Sequence, residues 1–381
     1  MRNSLPLVAL ALLLAACSKD KDVTPPAELV DFKPLVRVER VYEARVSGAE
    51  RELRLNLGFA IVDDQLFVAG YDGDVLALNA DTGRQLWRSK VGHRITGATG
   101  ASAQLVVVGS ADGEIVALAS DTGAEKWRTR LNGEVIAAPA VGAQAVFVRT
   151  VAGDLFALNV GDGSELWQAS QQVPRLSLRG DAAPVLDGDL VVAAFDNGRV
   201  AAYARGDGAP IWDTTVSPPQ GRSELERLVD IDTAVAVAGD DVFTVGFQGR
   251  VAMLQRDTGQ IWWSKEMSSY RGVALDDNNA YVATTDGAVE ALSRRTGASQ
   301  WRQESLARRR LSTPAAGAGY VVVGDFEGYL HWLDPQTGEF LSRYGLGSEV
   351  SGRPVFRGDL LIVRTESGRL LALRAPRPQA P

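Results

Sequence analysis

The segments YDGDVLALNADTGRQLW (71–87) and ADGEIVALASDTGAEKW (111–127) are two copies of one phrase. The phrase predicts a turn with glycine, an apolar strand, a Thr-Gly or Asp-Gly turn, and a tryptophan that begins an outer strand. Five further copies are VAGDLFALNVGDGSELW (151–167), DNGRVAAYARGDGAPIW (196–212), FQGRVAMLQRDTGQIWW (247–263), TDGAVEALSRRTGASQW (285–301) and FEGYLHWLDPQTGEFLS (326–342). An eighth copy, ESGRLLALRAP (366–376), contains only the first turn and the apolar strand.

The glycines of the first turn set the period of this repeat. They are Gly73, Gly113, Gly153, Gly198, Gly249, Gly287, Gly328 and Gly368, at successive intervals of 40, 40, 45, 51, 38, 41 and 40 residues. A period near 40 residues made of short strands is typical of a β-propeller with four strands per blade. We therefore predict an all-β, eight-bladed propeller of four-stranded antiparallel blades. In six copies a second glycine precedes the tryptophan by four residues, and we expect that tryptophan to fill the wedge between neighbouring blades.

The eighth repeat lacks sequence for an outermost strand. Residues 35–46 (LVRVERVYEARV) form a strand-like segment with no turn glycine of their own. We predict that this segment completes the last blade, because a closed ring leaves no open sheet edge. The predicted propeller covers residues 35–376, and a disordered tail is expected at 377–381.

Composition limits the classes of function. The 381 residues carry a formal net charge of −7, which argues against a nucleic-acid-binding protein. A hydrophobic content of 45 % is ample for a core, and the 39 glycines suit a chain dense in turns. The basic run Arg308–Arg310 is a local exception, which we interpret as a solvated loop between blades.

The N-terminal residues MRNSLPLVALALLLAAC (1–17) resemble a secretory signal and are too short for a membrane-spanning helix. Leu14-Ala15-Ala16-Cys17 resembles the lipobox of bacterial lipoproteins, which implies removal of residues 1–16 and acylation of Cys17. The alternative is an ordinary secretory peptide with a chance cysteine. Ser18 after the cysteine implies sorting to the outer membrane, with the protein anchored at its periplasmic face. Residues 17–34 are then expected to form a lipidated, flexible tether.

The sequence contains no motif for catalysis, metal binding or a cofactor. The two histidines, His93 and His331, lie in different repeats, and neither a nucleophile elbow nor a phosphate-binding loop is present. We expect His331 to be a packed or hydrogen-bonded core residue. Aspartates beside the turn glycines have the chemistry of calcium ligands, but capping of their own backbone suffices to explain them.

The repeated phrase also resembles the repeats of quinoprotein dehydrogenases, which are eight-bladed propellers that hold pyrroloquinoline quinone. Those enzymes resemble one another in a vicinal cysteine pair, a calcium site and a catalytic aspartate. This chain has one cysteine and is shorter than such enzymes, so the phrase indicates blade architecture only. A periplasmic quinoprotein-like enzyme, or a ligand-binding propeller lipoprotein, remains the alternative function.

The whole chain resembles the BamB family, the lipoprotein subunits of the outer-membrane β-barrel assembly machinery. Within the two stretched intervals, PRLSLRG of QQVPRLSLRGDAAPV (171–185) resembles the family's loop after blade three. RLVDIDT of PPQGRSELERLVDIDTAVAV (218–237) resembles its R-x-x-D-V-D-T segment, with Ile231 where valine is usual. The resemblance implies docking on the periplasmic POTRA domains of BamA through Leu176, Leu178, Arg179, Asp230 and Asp232.

The residues themselves leave two interpretations of these loops open. Long loops are where repeat proteins place binding surfaces, and two leucines beside Arg179 suit an interface hot spot. Alternatively, Leu176 and Leu178 pack under the loop, and Arg179 pairs with Asp230 or Asp232. The resemblance favours the first interpretation: a non-catalytic scaffold, monomeric within the assembly complex, that assists the insertion of nascent outer-membrane proteins.

Overall fold

The computed structural model describes residues 24–47, 56–174 and 176–375. These residues form 32 strands, which pair into eight four-stranded antiparallel sheets arranged as an eight-bladed propeller. The predicted fold class is confirmed. In these ranges the structure contains no helix that is long and apolar enough to cross a membrane. The predicted signal segment, Cys17 and the expected tail lie outside the described residues.

The first strand, β1 (Glu39–Arg45), belongs to the last blade, and the remaining strands fill the blades in chain order. Blades one to four contain β2 (Phe59–Val62), β3 (Gln65–Ala69), β4 (Asp74–Asn79) and β5 (Gln85–Lys90); β6 (Gly100–Ala101), β7 (Leu105–Gly109), β8 (Glu114–Ala119) and β9 (Glu125–Arg130); β10 (Ala140–Val141), β11 (Ala145–Arg149), β12 (Asp154–Asn159) and β13 (Glu165–Ser170); and β14 (Val185–Asp187), β15 (Leu190–Ala194), β16 (Arg199–Ala204) and β17 (Pro210–Thr215).

The second half of the ring repeats this order. Blades five to eight contain β18 (Ala236–Ala238), β19 (Asp241–Val245), β20 (Arg250–Gln255) and β21 (Ile261–Glu266); β22 (Ala274–Leu275), β23 (Asn279–Ala283), β24 (Val289–Ser293) and β25 (Ser299–Gln303); β26 (Ala315–Gly317), β27 (Tyr320–Gly324), β28 (Tyr329–Leu333) and β29 (Phe340–Gly345); and β30 (Val355–Arg357), β31 (Leu360–Arg364) and β32 (Arg369–Arg374) with β1.

Strand β1 closes the ring, as the sequence predicts. It pairs antiparallel with β32, so that Glu39 lies opposite Arg374 and Arg45 opposite Arg369. The paired strand is shorter than the predicted segment 35–46. An apolar core joins blade eight to blade one across this closure, with Ile362 of the last blade packed in the same cluster as Val68 of the first.

The six outer strands that contain the repeat's tryptophan each carry a bulge just before it. In blade one, Ala77 pairs with Trp87 whereas the next residue, Leu78, pairs with Gln85, so Leu86 is an extra residue. Such a bulge increases the local twist and redirects the following side chain. Trp87 is consequently buried, while Leu86 remains 36 % exposed.

Six tryptophans join their blade to the next in the same manner. Each indole Nε1–H donates to a main-chain carbonyl in the turn between the third and fourth strands of the following blade. The bonds are Trp87 to Ser120 (2.7 Å), Trp127 to Val160 (2.9 Å), Trp167 to Arg205 (3.1 Å), Trp212 to Arg256 (2.6 Å), Trp263 to Arg294 (2.9 Å) and Trp301 to Pro335 (2.9 Å). The expectation that these tryptophans fill the wedges between blades is confirmed.

The second-turn glycines are required by the same contact. Gly163 has φ +73°, and a Cβ on it would lie 2.5 Å from Cε3 of Trp127. Glycine alone therefore combines the left-handed turn with room for the indole of the preceding blade.

Tyr42 takes the place of a tryptophan where blade eight meets blade one. Its Oη–H donates to the carbonyl of Ala80 at 2.8 Å, and its ring lies where a Cβ on Gly83 would be. Strand β1 therefore supplies both the missing strand and the side chain that joins the ends of the ring.

The junction between blades seven and eight is built differently. Ser342 stands where six of the outer strands have tryptophan, and β32 and β1 are not joined by a turn that could receive an indole N–H. Residues 25–36, which we call the strap, run along blade seven and reach this junction at Val36, which packs in the core shared by blades seven and eight. The N–H groups of Leu35 and Val36 donate to the carbonyl of Leu341 at 2.8 and 3.2 Å. Residues 25–34, expected as part of a flexible tether, are thus held against the propeller.

Candidate docking site on the loop face

The loops that connect successive blades lie on one face of the ring, which we call the loop face. The turns between second and third strands are on the same face, because a Cβ on Gly153 would lie 2.5 Å from the carbonyl oxygen of Gln171. Both stretched intervals of the repeat are blade-to-blade loops. They are the first long loop, residues 171–184, and the second long loop, residues 216–235.

Both long loops border a funnel of about 640 Å³ on this face. Its lining comes from several blade-to-blade loops rather than from one blade. The lining residues are Asn56, Tyr71, Thr96, Ala111, Glu134, Ile136, Leu178, Arg179, Gly180, Asp181, Asp232, Tyr270 and Arg271. The funnel therefore brings three of the five sequence-predicted site residues together with groups from distant repeats.

The two leucines of the first long loop face solvent. Leu176 is 43 % and Leu178 is 41 % exposed. The alternative in which both pack under the loop as local core is therefore wrong. Leu176 and Leu178 therefore present two apolar side chains to solvent on the loop face.

Arg179 does not pair with either predicted aspartate. Its Nη2 donates to Oε2 of Glu134 in the loop between blades two and three, and its side chain remains 57 % exposed. The residue has φ +58°, an uncommon conformation for a non-glycine residue. The predicted alternative of an Arg179–Asp230 or Arg179–Asp232 pair is wrong, because the turned backbone directs the side chain toward Glu134.

Asp230 is fully buried and holds the first long loop in place. Its Oδ2 accepts a hydrogen bond from the N–H of Leu178, and its own carbonyl accepts one from Phe247 at 2.8 Å. Burial raises the pKa of Asp230 to about 7, and repulsion from Asp196 makes a smaller contribution in the same direction. Asp230 therefore fixes the position of the Leu178 backbone.

Asp232 belongs to the same cluster and is 6 % exposed. Among the described residues, neither of its carboxylate oxygens has a hydrogen-bond partner. Gly180 packs directly on it, and a Cβ there would collide with Asp232. Burial raises the pKa of Asp232 to about 8, with further contributions from Asp230, Asp196 and Asp181.

The surroundings of Asp232 are rich in carboxylates. Asp181 accepts a hydrogen bond from Nδ2 of Asn56 at 2.6 Å, and burial raises its pKa. Arg149 is committed to a buried ion pair with Asp196, and the Arg271 Nε–H donates to the carbonyl of Leu311 at 2.9 Å. An incoming cation or hydrogen-bond donor would therefore meet an unpartnered acceptor at Asp232.

A metal site is not found in this cluster. Within residues 24–47, 56–174 and 176–375, no group of three or more histidine, aspartate or glutamate side chains is arranged to hold a metal ion.

Sequence reasoning missed the funnel residues outside the two long loops. Glu134, Tyr270 and Arg271 lie in ordinary blade-to-blade connections, at intervals that the repeat does not stretch. The available signal was positional, since each follows an outer strand by a few residues and so reaches the loop face.

The basic run Arg308–Arg310 is only in part the solvated loop that the sequence suggests. Arg308 and Arg310 are exposed, but Arg309 is buried and pairs with Asp325 at 2.8 Å. Asp325 also lies 3.1 Å from Nε2 of His331, whose Nδ1 accepts from Arg343 at 3.3 Å. The expectation of a hydrogen-bonded core histidine is confirmed, and the interpretation of Arg309 is wrong because a buried carboxylate draws its side chain inward.

The fold and its repeats define an eight-bladed propeller of the quinoprotein-repeat class, with its irregular loops gathered around one funnel. A family model described as Outer membrane protein assembly factor BamB matches residues 71–303 and 285–376. Relatives with that name from Pseudomonas aeruginosa and Escherichia coli K12 are 48 % and 32 % identical, over 96 % and 97 % of this chain and 97 % and 98 % of theirs. The chain belongs to the BamB family.

Solved structures agree with this assignment. The crystal structure of BamB from Moraxella catarrhalis matches with a TM-score of 0.82 and 27 % identity, covering 89 % of this chain and all of that one. A europium-containing methanol dehydrogenase matches with a TM-score of 0.72 at 14 % identity, over 88 % of this chain and 93 % of its own. The second likeness concerns the fold alone.

Proposed function

We propose that this protein is a non-catalytic scaffold of the outer-membrane protein assembly machinery that docks on the periplasmic POTRA domains of BamA. It assists the folding and insertion of β-barrel outer-membrane proteins. Support comes from its membership of a family whose relatives are named as outer membrane protein assembly factors. Acylation of Cys17 anchors it to the periplasmic face of the outer membrane.

The observation that carries the docking site is the exposed pair Leu176 and Leu178 on a backbone held by a buried carboxylate. An interface anchor gains affinity when its geometry is set before binding, because less conformational entropy is lost on association. Asp230 provides that geometry through the Leu178 N–H. The pair is thus a preorganised apolar contact rather than a loose loop tip.

Asp232 complements the apolar pair with a polar acceptor at the funnel wall. A buried carboxylate without hydrogen bonds is costly, and a charged donor from a partner would remove that cost. We infer that a basic or amide side chain of the POTRA surface reaches into the funnel beside Arg179. Leucines and carboxylate then act on neighbouring parts of one partner.

The direct test is co-purification of BamA from detergent-solubilised outer membranes with variants of the first long loop. Combined Leu176→Ser and Leu178→Ser changes, or Arg179→Glu, should abolish capture while leaving the melting temperature close to that of the unchanged protein. The expected loss is large because interface hot spots each contribute about 2 kcal/mol or more.

Matched controls exist on the outer strands. Leu166 and Ile211 are each 49 % exposed, and Arg88 is 56 % exposed in its ion pair with Asp74, yet all lie away from the funnel lining. Serine at both apolar control positions, or glutamate at Arg88, should leave BamA capture unchanged. Retained capture by the long-loop variants, or equal loss in the controls, would rule out this docking site.

A photo-crosslinking amino acid at position 178 in intact cells then identifies the partner. A crosslink to the POTRA domains supports the proposal, and the same probe at position 166 should give none. Capture at position 178 of proteins other than BamA would contradict it.

A further inference from the structure

The strap runs across blade seven from the loop face to the opposite face. At its N-terminal end, Ala27 N–H donates to the carbonyl of Ala307 at 2.9 Å. That loop belongs to the loop face, because a Cβ on Gly287 would lie 2.6 Å from the carbonyl oxygen of Leu306. At its C-terminal end, Leu35 meets Leu341 at the start of the outer strand β29.

Two arginines of the basic loop between blades six and seven form hydrogen bonds with the N-terminal end of the strap. The Arg308 Nε–H donates to the carbonyl of Pro25 at 2.7 Å, and Arg309 Nη1–H donates to that of Ala27 at 2.9 Å. Arg308 and Arg310 have φ values of +61° and +46°, while the buried Arg309 between them is fixed by Asp325. Strained backbone persists where surrounding contacts fix it, and here those contacts hold the strap.

A third arginine and two aromatic rings hold its middle. Phe32 stacks on Phe340 with ring centroids 5.7 Å apart, and the Arg343 guanidinium lies 5.1 Å from the Phe32 centroid. Arg343 also donates to the carbonyl of Val30 at 3.1 Å and to His331. Leu29 packs on the core between blades six and seven. The strap is therefore fixed by side chains along its whole length.

The point at which the chain leaves the propeller is consequently Pro25, beside Arg308. Eight residue steps separate Cys17 from Pro25, so the intervening chain spans at most about 29 Å at full extension. Without the strap, the chain would leave from residue 38 at the opposite face, and the reach would increase to roughly 75 Å. The strap both shortens the connection and moves its origin to the loop face.

We propose that the strap makes the lipid anchor orient the propeller. The part of the loop face where Pro25 leaves blade seven is held next to the membrane. This inference rests on the proposed acylation of Cys17. Blade three, four blades around the ring, is then held farther from the lipid surface. The anchor and the long loops lie on the same face of the ring. A partner docked at the funnel therefore lies between blade three and the membrane.

The test uses the full-length acylated protein bound to phosphatidylethanolamine–phosphatidylglycerol vesicles that carry an acceptor fluorophore on a headgroup. A donor fluorophore is placed on a single introduced thiol. The thiol is either Ser305→Cys, in the loop that leads from blade six to blade seven, or Ala152→Cys, in the loop-face turn of blade three. Both positions are exposed. We expect stronger energy transfer from position 305 than from position 152.

Two changes should remove that difference without altering the ring. Combined Leu29→Ser and Phe32→Ser changes release the strap, and a twelve-residue Gly-Ser insertion between Ser18 and Lys19 lengthens the connection. The matched control changes Val30 and Leu35 to serine, because these strap side chains are 73 % and 74 % exposed. The control should keep the difference between the two donor positions.

Each outcome decides a separate point. The orienting role alone is overturned if energy transfer is equal from positions 305 and 152 in the protein with an unaltered strap. It is also overturned if the difference between these positions persists after the strap is released. A Cys17→Ala variant should fail to float with the vesicles. If the unaltered protein also fails to float, the acylation and this inference with it are overturned. Neither result bears on capture of BamA, which is measured in solubilised membranes.

Discussion

The outer rim of the propeller and its funnel are built on opposite principles. At the rim, each indole fills a wedge, donates its hydrogen bond and lies on a glycine that leaves room for it. In the funnel, Asp232 is buried without a hydrogen-bond partner among the described residues, beside three other carboxylates. Buried polar groups are normally satisfied, so the missing partners at Asp232 agree with the docking role proposed for the funnel. Changes at the rim should therefore destabilise the protein, whereas a change at Asp232 should stabilise it.

The largest effect is expected from removing the rim's closure. Deleting residues 35–46 removes β1 and Tyr42, opens the β32 edge and exposes the core between blades eight and one. Because domains are stable by only about 5–15 kcal/mol, the ring should lose cooperative unfolding altogether. Circular dichroism melting provides the measurement, with a deletion of residues 18–23 as control. A shortened protein that melts like the full one would show that β1 is dispensable.

A smaller loss is expected at a regular blade junction. Gly163→Ala places a Cβ against the indole of Trp127 and forces alanine into a left-handed turn, for a combined cost of about 3 kcal/mol. Gly188→Ala is the matched control, because it has φ +54° and a Cβ there meets no described atom within 4 Å. The control should lose only about 1 kcal/mol in urea unfolding. Equal losses would mean that the indole contact contributes nothing.

The opposite sign is expected for Asp232→Asn in the funnel. Since the folded-state pKa is raised to about 8 from 3.8, the folded protein keeps a proton that the unfolded chain has released. Stability should thus fall as pH rises from about 4 to 8, and asparagine removes that fall. With about 1.4 kcal/mol per pKa unit, we expect a gain of at least roughly 2 kcal/mol at pH 8 and little at pH 4.

Urea unfolding at both pH values measures this gain, and BamA capture measures its functional consequence. The variant should be more stable and yet capture less BamA, because asparagine cannot ionise to pair with a charged donor of the partner. A variant destabilised at pH 8 would remove the contrast between rim and funnel. Glu134→Gln is a suitable comparison, since Glu134 is partly exposed and borders the same funnel.

The smallest effect tests whether Tyr42 is equivalent to the tryptophans. Tyr42→Phe removes the hydrogen bond to Ala80 but leaves the ring on Gly83, so a loss of about 1 kcal/mol is expected. Tyr42→Ala also removes the ring and should lose about 3 kcal/mol. Thermal unfolding of the two variants separates the bond from the packing. Similar losses in both would show that packing at this junction is unimportant.

The repeat predicts the regular part of the fold because its determinants are local. A glycine four residues before a tryptophan encodes a turn and a bulged outer strand within one phrase. Closure by β1 was also predictable, since one blade lacked a strand and one segment lacked a blade. The role of Tyr42 was not, because its partner carbonyl at Ala80 lies outside its own repeat.

The site was predictable in position more than in contacts. The stretched intervals indicated the two loops, and the exposure of Leu176 and Leu178 agrees with their proposed role. The pairing of Arg179 with Glu134, 45 residues away, depends on the ring bringing separate loops together. The burial of Arg309 was not predictable either, since its partners Asp325 and Ala27 lie 16 and 282 residues away along the chain.

The pairing of β1 with β32 has a consequence in time as well as in space. Arg45 meets Arg369, more than 300 residues later, so the first strand made cannot find its partner until almost the whole chain has been synthesised. Contacts of such long sequence separation are slow to form. Through that interval β1 has no sheet partner, so its main-chain N–H and C=O groups are available for pairing with another chain.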